Sequence, residues 1–298
     1  MVKHIIVIGS RKSQQGESEN LADYAVYFQK ALIGEPVEVS HALFDDLIID
    51  VAPDRFDITL ATTGKSLADF ALIIIRGRLR YDTEIAYALS SFAKERNIPS
   101  FNTYLRHQSS SKLTQALRFR EIGVPFPRTL LADRVQVADL VAAGKLELPF
   151  IYKAAVGAHG NSNYLIRTID QLAKLDIEAD KNFIAQPFIK NNGDYRILVC
   201  GDESLVIKRL AVSGSHLNNT SQGGQAELVE ALPNHIIADA HKIAREFGML
   251  VAGVDVLWDE TSGDYFFLET NSQPQIKTGA FVEEKNQLVG RLLRNLLS

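Results

Sequence analysis

Between Phe150 and Asn271 the chain runs through strand-like apolar segments in close succession, most of them separated by too few residues to travel the length of a sheet between them. They fall at 150 to 153, 163 to 166, 182 to 189, 194 to 200 and 204 to 210, and after an intervening helix a further pair spans 250 to 271. Parallel neighbours need a crossover of roughly a dozen residues or more, whereas antiparallel neighbours close with a tight turn. This half of the chain is therefore predicted to consist of hairpins in an α+β layout.

The first hundred residues follow a different rule. Ile5 to Ile8 reads as a buried strand, and Leu21, Ala25, Phe28 and Leu32 recur at helical spacing before Gly34. Val37 to Leu43, Ile58 to Ala61 and Phe70 to Ile75 read as further strands, and Asp82 can cap a helix carrying Ile85, Leu89 and Phe92. This βαβ rhythm implies an open, mostly parallel α/β sheet with helices on its faces. Gly9 to Asn20 lacks a dinucleotide-binding glycine fingerprint and reads as a solvated loop. Past Phe101 the pattern changes. Ser109 to Ser111 can cap a helix bearing Leu113, Ala116 and Leu117 that ends at Gly123; a second is capped by Asn234 and closed by Gly248, and a third carries Leu288, Leu292 and Leu296. The boundary between the two parts falls near residue 103.

Length and charge narrow the functions available. The chain has 298 residues, 46% apolar and 23% charged, which suits about two globular domains. Thirty-two Lys+Arg against 36 Asp+Glu gives a net charge of −4, which excludes a protein whose main task is coating nucleic acid. Cys200 stands alone, so no intrachain disulfide or thiolate-rich metal site can form, as suits a reducing cytoplasm. Ile5 to Ile8 is too short for a signal-peptide core, and Phe70 to Ile75 is too short to span a membrane.

Two constellations carry chemistry. If the 250 to 271 hairpin turns about Ser262, Asp255 and Glu269 each lie seven residues from the tip and face each other, with Asn271 on the same face as Glu269. Opposed carboxylates among Val254, Val256, Phe266 and Phe267 repel, and a hard cation such as Mg²⁺ would offset that repulsion. The second constellation is cationic. Lys153 ends one strand ahead of the small-residue loop Gly157 to Asn161, and Arg196, Lys208 and Arg209 share a ribbon that needs a counter-anion. A short turn at Gly201-Asp202 would pair Asp194 with Arg209, and a longer one Arg196 with Lys208; both registers stay open.

The order of these motifs resembles the ATP-grasp superfamily, in its RimK-like branch. They are Ser111-Lys112-Leu113; Tyr152-Lys153 with Gly157 and Gly160; Gln186-Pro187-Phe188-Ile189; Asp194-Tyr195-Arg196; Arg209 with Asn219 and Gly223-Gly224; Gly253-Val254-Asp255; and Leu268-Glu269-Thr270-Asn271. The resemblance implies a pre-ATP-grasp α/β domain at 1–103 and a two-subdomain ATP-grasp domain at 104–298, with a small lid subdomain at about 125–188 and a C-terminal subdomain at about 189–298. It implies an ATP-dependent ligase that converts a carboxylate to an acyl phosphate and lets an amine displace the phosphate. Lys112, Lys153, Gly157, Gly160 and Lys208 would contact ATP; Pro187 and Ile189 would hold adenine, and Asp194 the ribose region. Arg196, Arg209 and Asn219 would hold the transferred phosphoryl group, and Asp255, Glu269 and Asn271 two Mg²⁺ ions, or Mn²⁺. The partners implied are ATP and amino-acid, peptide or protein substrates, in a cytoplasmic enzyme that can form a homo-oligomer.

The sequence departs from the family pattern at Ser162, where a third glycine often stands, at Leu217, in place of an arginine of glutamyl ligases, and at Pro187, in place of a hinge glutamate. Gly279 falls where substrate-proximal residues vary. The competing readings are a catalytically degenerate ATP-binding module and an ATP-grasp enzyme with a non-amine acceptor.

Overall fold

A computed structural model describes residues 2–10, 21–77, 82–105, 111–156, 162–177, 181–191, 193–210, 225–230, 232–259 and 262–298. The chain opens with β1 (Lys3–Gly9), α1 (Leu21–Ala31), β2 (Val37–Leu43), β3 (Leu47–Ala52), β4 (Arg55–Leu60), β5 (Leu72–Arg76), α2 (Thr83–Glu95) and β6 (Ser100–Phe101). Strands β2, β1, β5 and β6 form a parallel sheet in that order. Ile5 to Ile8 and Leu72 to Ile75 are nearly solvent-free, as strands covered by helices on both faces must be. The run at Ile58 does not join that sheet. It pairs antiparallel with β3, a strand the sequence pattern did not reveal, because Ile48 and Val51 are exposed and no face alternates cleanly.

Next come α3 (Lys112–Ile122), β7 (Leu130–Leu131), α4 (Arg134–Ala142), β8 (Phe150–Ala154), β9 (Asn163–Ile166), α5 (Ile169–Ala173) and β10 (Phe183–Pro187). Helix α3 ends on Gly123 at φ 72°, a left-handed stop that suits glycine. An antiparallel sheet orders these strands β7-β10-β8-β9. One face buries Phe150, Tyr152, Ala154, Phe183 and Ala185 against α4 and α5, with Tyr152 stacked on Phe183 at 4.9 Å between centroids. Alternation turns Lys153, Ile184 and Gln186 to the other face.

The rest comprises β11 (Asp194–Cys200), β12 (Glu203–Leu210), β13 (Gln225–Val229), α6 (Asn234–Glu246), β14 (Val251–Trp258), β15 (Tyr265–Asn271) and α7 (Val282–Leu297). The sheet order is β13-β12-β11-β14-β15. Pro233, not Asn234, occupies the cap position of α6, so Asn234 is its first helical residue. Ile197, Val199, Val254, Val256 and Phe267 pack on Ile236, Ala240 and Ile243 of α6, each large apolar side chain contributing about 1.5–3 kcal/mol. Another core joins Ile5, Val7, Phe28 and Leu32 to Leu198, Cys200, Val251, Leu288 and Leu292, so apolar packing crosses residue 103.

Candidate active site

Strands β11 and β12 meet through the two-residue turn Gly201-Asp202, and of the two registers left open the observed one sets Asp194 opposite Arg209. Strand β14 then brings Asp255 opposite Arg196, and β15 brings Glu269 opposite Asp255. The expected pairing of Asp255 with Glu269 thus holds, but not through a hairpin centred on Ser262 throughout. Beyond it Val256 faces Phe267, so Leu268 is an extra residue in a bulge. Without that bulge the period of two would put Phe267 and Glu269 on one face. With it, Phe267 is fully buried against α6 while Glu269 turns the other way.

The acids are met by cations. Arg196 donates from Nε and Nη2 to the two oxygens of Asp255, both at 2.6 Å. Arg209 donates to the two oxygens of Asp194 at 2.7 and 2.6 Å, and its Nη2 lies 3.1 Å from Asp255 Oδ2. Lys112 Nζ stands 3.9 Å from Glu269 Oε2, and Asn271 Nδ2 donates to Glu269 Oε1 at 3.3 Å. Guanidinium and ammonium groups therefore offset the repulsion between Asp255 and Glu269 in this structure. Burial pushes both aspartates up. Asp194, with one guanidinium, rises to about 6, whereas Arg196 and Arg209 together hold Asp255 below the usual carboxylate range.

The smaller sheet supplies Lys153. Lys112 N donates to Ala155 O at 2.8 Å, which docks the start of α3 beside the end of β8 and brings the two lysines together. Burial, reinforced by the charge on Lys112, lowers Lys153 to about 8, while Glu269 and Asp255 pull it upward. Lys153 thus looks across at the carboxylates of the larger sheet. Gln115 Oε1 accepts from Thr270 N at 2.7 Å, which ties α3 to β15.

Lys208 and Asp194 make specific contacts within the protein. Lys208 pairs with Tyr195 in register, on the face opposite Arg209, and its Nζ lies 5.4 Å from the Tyr195 ring centroid; adjacent residues on a strand cannot share a face. It therefore does not stand beside Arg209 on the cleft face. Asp194 is only 6% exposed with both oxygens on Arg209, so it orients that guanidinium. Gly193 makes this possible. At φ 128° its absent Cβ would fall 2.5 Å from Arg209 O, so only glycine lets the chain turn into β11 there. Pro187 ends β10 exposed, and the Ile189 carbonyl accepts from Asn191 Nδ2 at 2.9 Å. Gly157, Gly160, Leu217, Asn219 and Gly223-Gly224 lie outside the described residues.

Among the described residues no three His, Cys, Asp or Glu side chains gather as a ready metal cage, and no helix is long and apolar enough to cross a membrane. Asp255, Glu269 and Asn271 nevertheless offer hard oxygen donors of the kind Mg²⁺ takes, provided that Asp255 gives up a guanidinium contact to the ion.

A parallel α/β layer followed by two antiparallel sheets, with a lysine of one and a second from α3 turned toward arginines and carboxylates of the other, defines an ATP-grasp ligase. The model of the RimK-like ATP-grasp domain matches residues 107–293, and the chain belongs to that family. It is 32% identical over 250 residues to a probable alpha-L-glutamate ligase of Pseudomonas putida, covering 82% of this chain and 77% of that protein. A namesake in Cellvibrio japonicus is 28% identical over 231 residues, 75% of this chain and 71% of that one. Among solved structures, the ATP-grasp ligase PsnB complexed with minimal precursor superposes with a TM-score of 0.70 at 18% identity over 100% of both chains. A RiPP-associated ATP-grasp ligase of Chryseobacterium gregarium, in complex with ADP and a leader and core peptide, gives a TM-score of 0.68 at 15% identity over 99% and 97%.

Proposed function

We propose that this enzyme uses ATP to convert a carboxylate to an acyl phosphate and passes the acyl group to an amine, forming an amide and releasing ADP and phosphate. The observation that carries this reading is the opposition of Lys112 and Lys153 to Arg196 and Arg209 across one cleft, with Asp255, Glu269 and Asn271 between them. Joining a polyphosphate to a carboxylate brings anions together, and fixed cations in a poorly solvated cleft stabilise the charge as it moves.

In this reading Lys112 and Lys153 hold the phosphates, which restores full protonation of Lys153 by supplying the missing negative charge. Arg209, oriented by Asp194, and Arg196 hold the phosphoryl group in flight and then the acyl phosphate. The Pro187 carbonyl and the Ile189 N–H, two residues apart at the end of β10, recognise adenine; proline lacks only its own N–H, which the scheme does not use. Mg²⁺ at Asp255, Glu269 and Asn271, one ion or a pair, or Mn²⁺ in its place, supplies charge neutralisation on the phosphate oxygens. Glutamate ligases among the relatives and peptide complexes among the structural neighbours support an amino acid or peptide as substrate. The need for ATP and a lone free thiol support a cytoplasmic site of action.

The test is an ATP-to-ADP turnover screen against pooled amino acids and peptides with hydroxylamine present. Hydroxylamine traps an acyl phosphate as a hydroxamate, and one hydroxamate per ADP is expected. Phosphate release without hydroxamate from any carboxylate would refute the reaction.

A further inference from the structure

Lys285 lies in the first turn of α7 and is 4% exposed. Its Nζ donates to the carbonyls of Gln275 at 3.0 Å and Thr278 at 2.7 Å. An ammonium carries three donors, so one is left over. A buried charge is ordinarily met by an opposite one. Arg196 and Arg209 have their aspartates, but none of the ion pairs among the described residues includes Lys285. Burial, with repulsion from Arg196, lowers its pKa to about 8, and Glu284 only partly opposes that shift.

These three cations line one solvent-open pocket, whose remaining wall is largely apolar, with Leu198, Ile207, Pro274 and Ala280. Gly279, at φ 76°, lines it too, and a Cβ placed there would be in ordinary van der Waals contact with the ammonium, 3.9 Å from Lys285 Nζ. Within this pocket the two arginines are met by aspartates and the ammonium is met only by carbonyls, so the place that lacks a negative group is Lys285.

We propose that Lys285 is a specificity-determining residue that binds a second anionic group of the carboxylate substrate, whose reacting carboxylate lies at Arg196 and Arg209. This rests on the ligase reading for which end reacts. The substrate class it defines is a molecule with two acidic groups joined by a short apolar linker, either free or as an acidic residue at the C-terminus of a peptide, where side-chain and terminal carboxylates are both available. The bland alternative is that Lys285 only pins the 275 to 278 segment.

Binding separates the two. Calorimetry on the full chain with Mg²⁺ and a non-hydrolysable ATP analogue compares N-acetylglutamate with N-acetylglutamine and succinate with succinamate, pairs that differ by one charge. The wild type should bind a dianion at least ~10-fold more tightly than its amide partner, the scale of one hydrogen bond to a charged group. Lys285→Gln should bring the ratio to about 1, and Lys285→Arg should keep it. If Gln fails to fold, Lys285→Met, which retains the apolar stem, takes its place. A wild-type ratio near 1, no binding in either pair, or a ratio that survives the neutral variant overturns the proposal. A parallel hydroxamate assay keeps the two readings apart. Charge preference without hydroxamate rejects the ligase reading and retains Lys285 as an anion anchor, whereas hydroxamate without charge preference does the reverse.

Discussion

The two faces of the five-stranded sheet are made from the same strands and do opposite work. Tyr195, Ile197, Val199, Val254, Val256 and Phe267 face α6 and form a dry core. Asp194, Arg196, Arg209, Asp255 and Glu269, one position out of phase with them, form the charged wall of the cleft. Further along that second face, Leu198, Cys200 and Val251 are apolar again, where α7 and the parallel layer cover them. Parity along the strand decides which face a residue joins, and what covers the face decides its chemistry. The smaller sheet repeats the rule, with Tyr152 inward and Lys153 toward the cleft.

The largest expected effect lies at the adjacent pair Lys208 and Arg209. Arg209→Ala should lower turnover by at least ~10²-fold. It should also cost about 3–5 kcal/mol of stability, because Asp194 and Asp255 lose a buried partner. Lys208→Ala, on the other face, gives up its contact with the Tyr195 ring, on the order of 0.5–1 kcal/mol, and should leave turnover near that of wild type. Steady-state kinetics with urea unfolding measures both, and equal losses at the two positions would end the division between faces.

Phe267→Ala probes the dry face alone. It should cost about 3–5 kcal/mol in unfolding free energy while turnover per folded molecule changes little. A catalytic loss as large as that of Arg209→Ala would mean that the faces are coupled.

Nucleotide choice tests whether the cleft side of the smaller sheet carries specificity as well as charge. Adenine presents a donor beside an acceptor and guanine the reverse, so ATP should be favoured over GTP by about 1–3 kcal/mol per mispaired group. Comparable kcat/KM values for the two would remove Pro187 and Ile189 from the site and leave the lysines in it.

The smallest effect is a proton. With Lys153 at about 8 when folded against its ordinary 10.5, the unfolded chain binds a proton that the native state does not between those values. Stability of the nucleotide-free protein should therefore rise with pH across that window. Phosphates beside Lys153 raise its pKa, so nucleotide binding near pH 8.5 should take up a fraction of a proton, detected by calorimetry in buffers of different ionisation enthalpy. Lys153→Met should abolish the uptake, and uptake that persists in this variant would place the titrating group elsewhere.

Local rules made part of this legible in the sequence. The parallel layer, the stops at Gly123 and Gly248, and the opposition of Asp255 and Glu269 follow from apolar period, turn chemistry and counting along a hairpin. What was hidden depends on parity and distance. Choosing between two turn lengths decides whether Arg209 meets Asp194, and nothing local makes that choice. The bulge at Leu268 reverses parity within one strand, so Phe267 and Glu269 look like neighbours on one face when they are not. Strand β3 was obscured by its exposure. Lys285 gave no signal at all, because Arg196 and the carbonyls around it come from other parts of the chain.

Cys200 sits where the parallel layer, the five-stranded sheet and α7 share a single core, 2% exposed, and burial pushes its thiol up to about 12. Only a thiolate reacts readily with disulfide reagents. A reagent added to the native enzyme can therefore act only in the moments when that shared core parts, and the rate of colour development becomes a clock for the opening. With no second cysteine to confuse the count, the free energy of separating the layers can be read in plain buffer, without denaturant or an engineered probe.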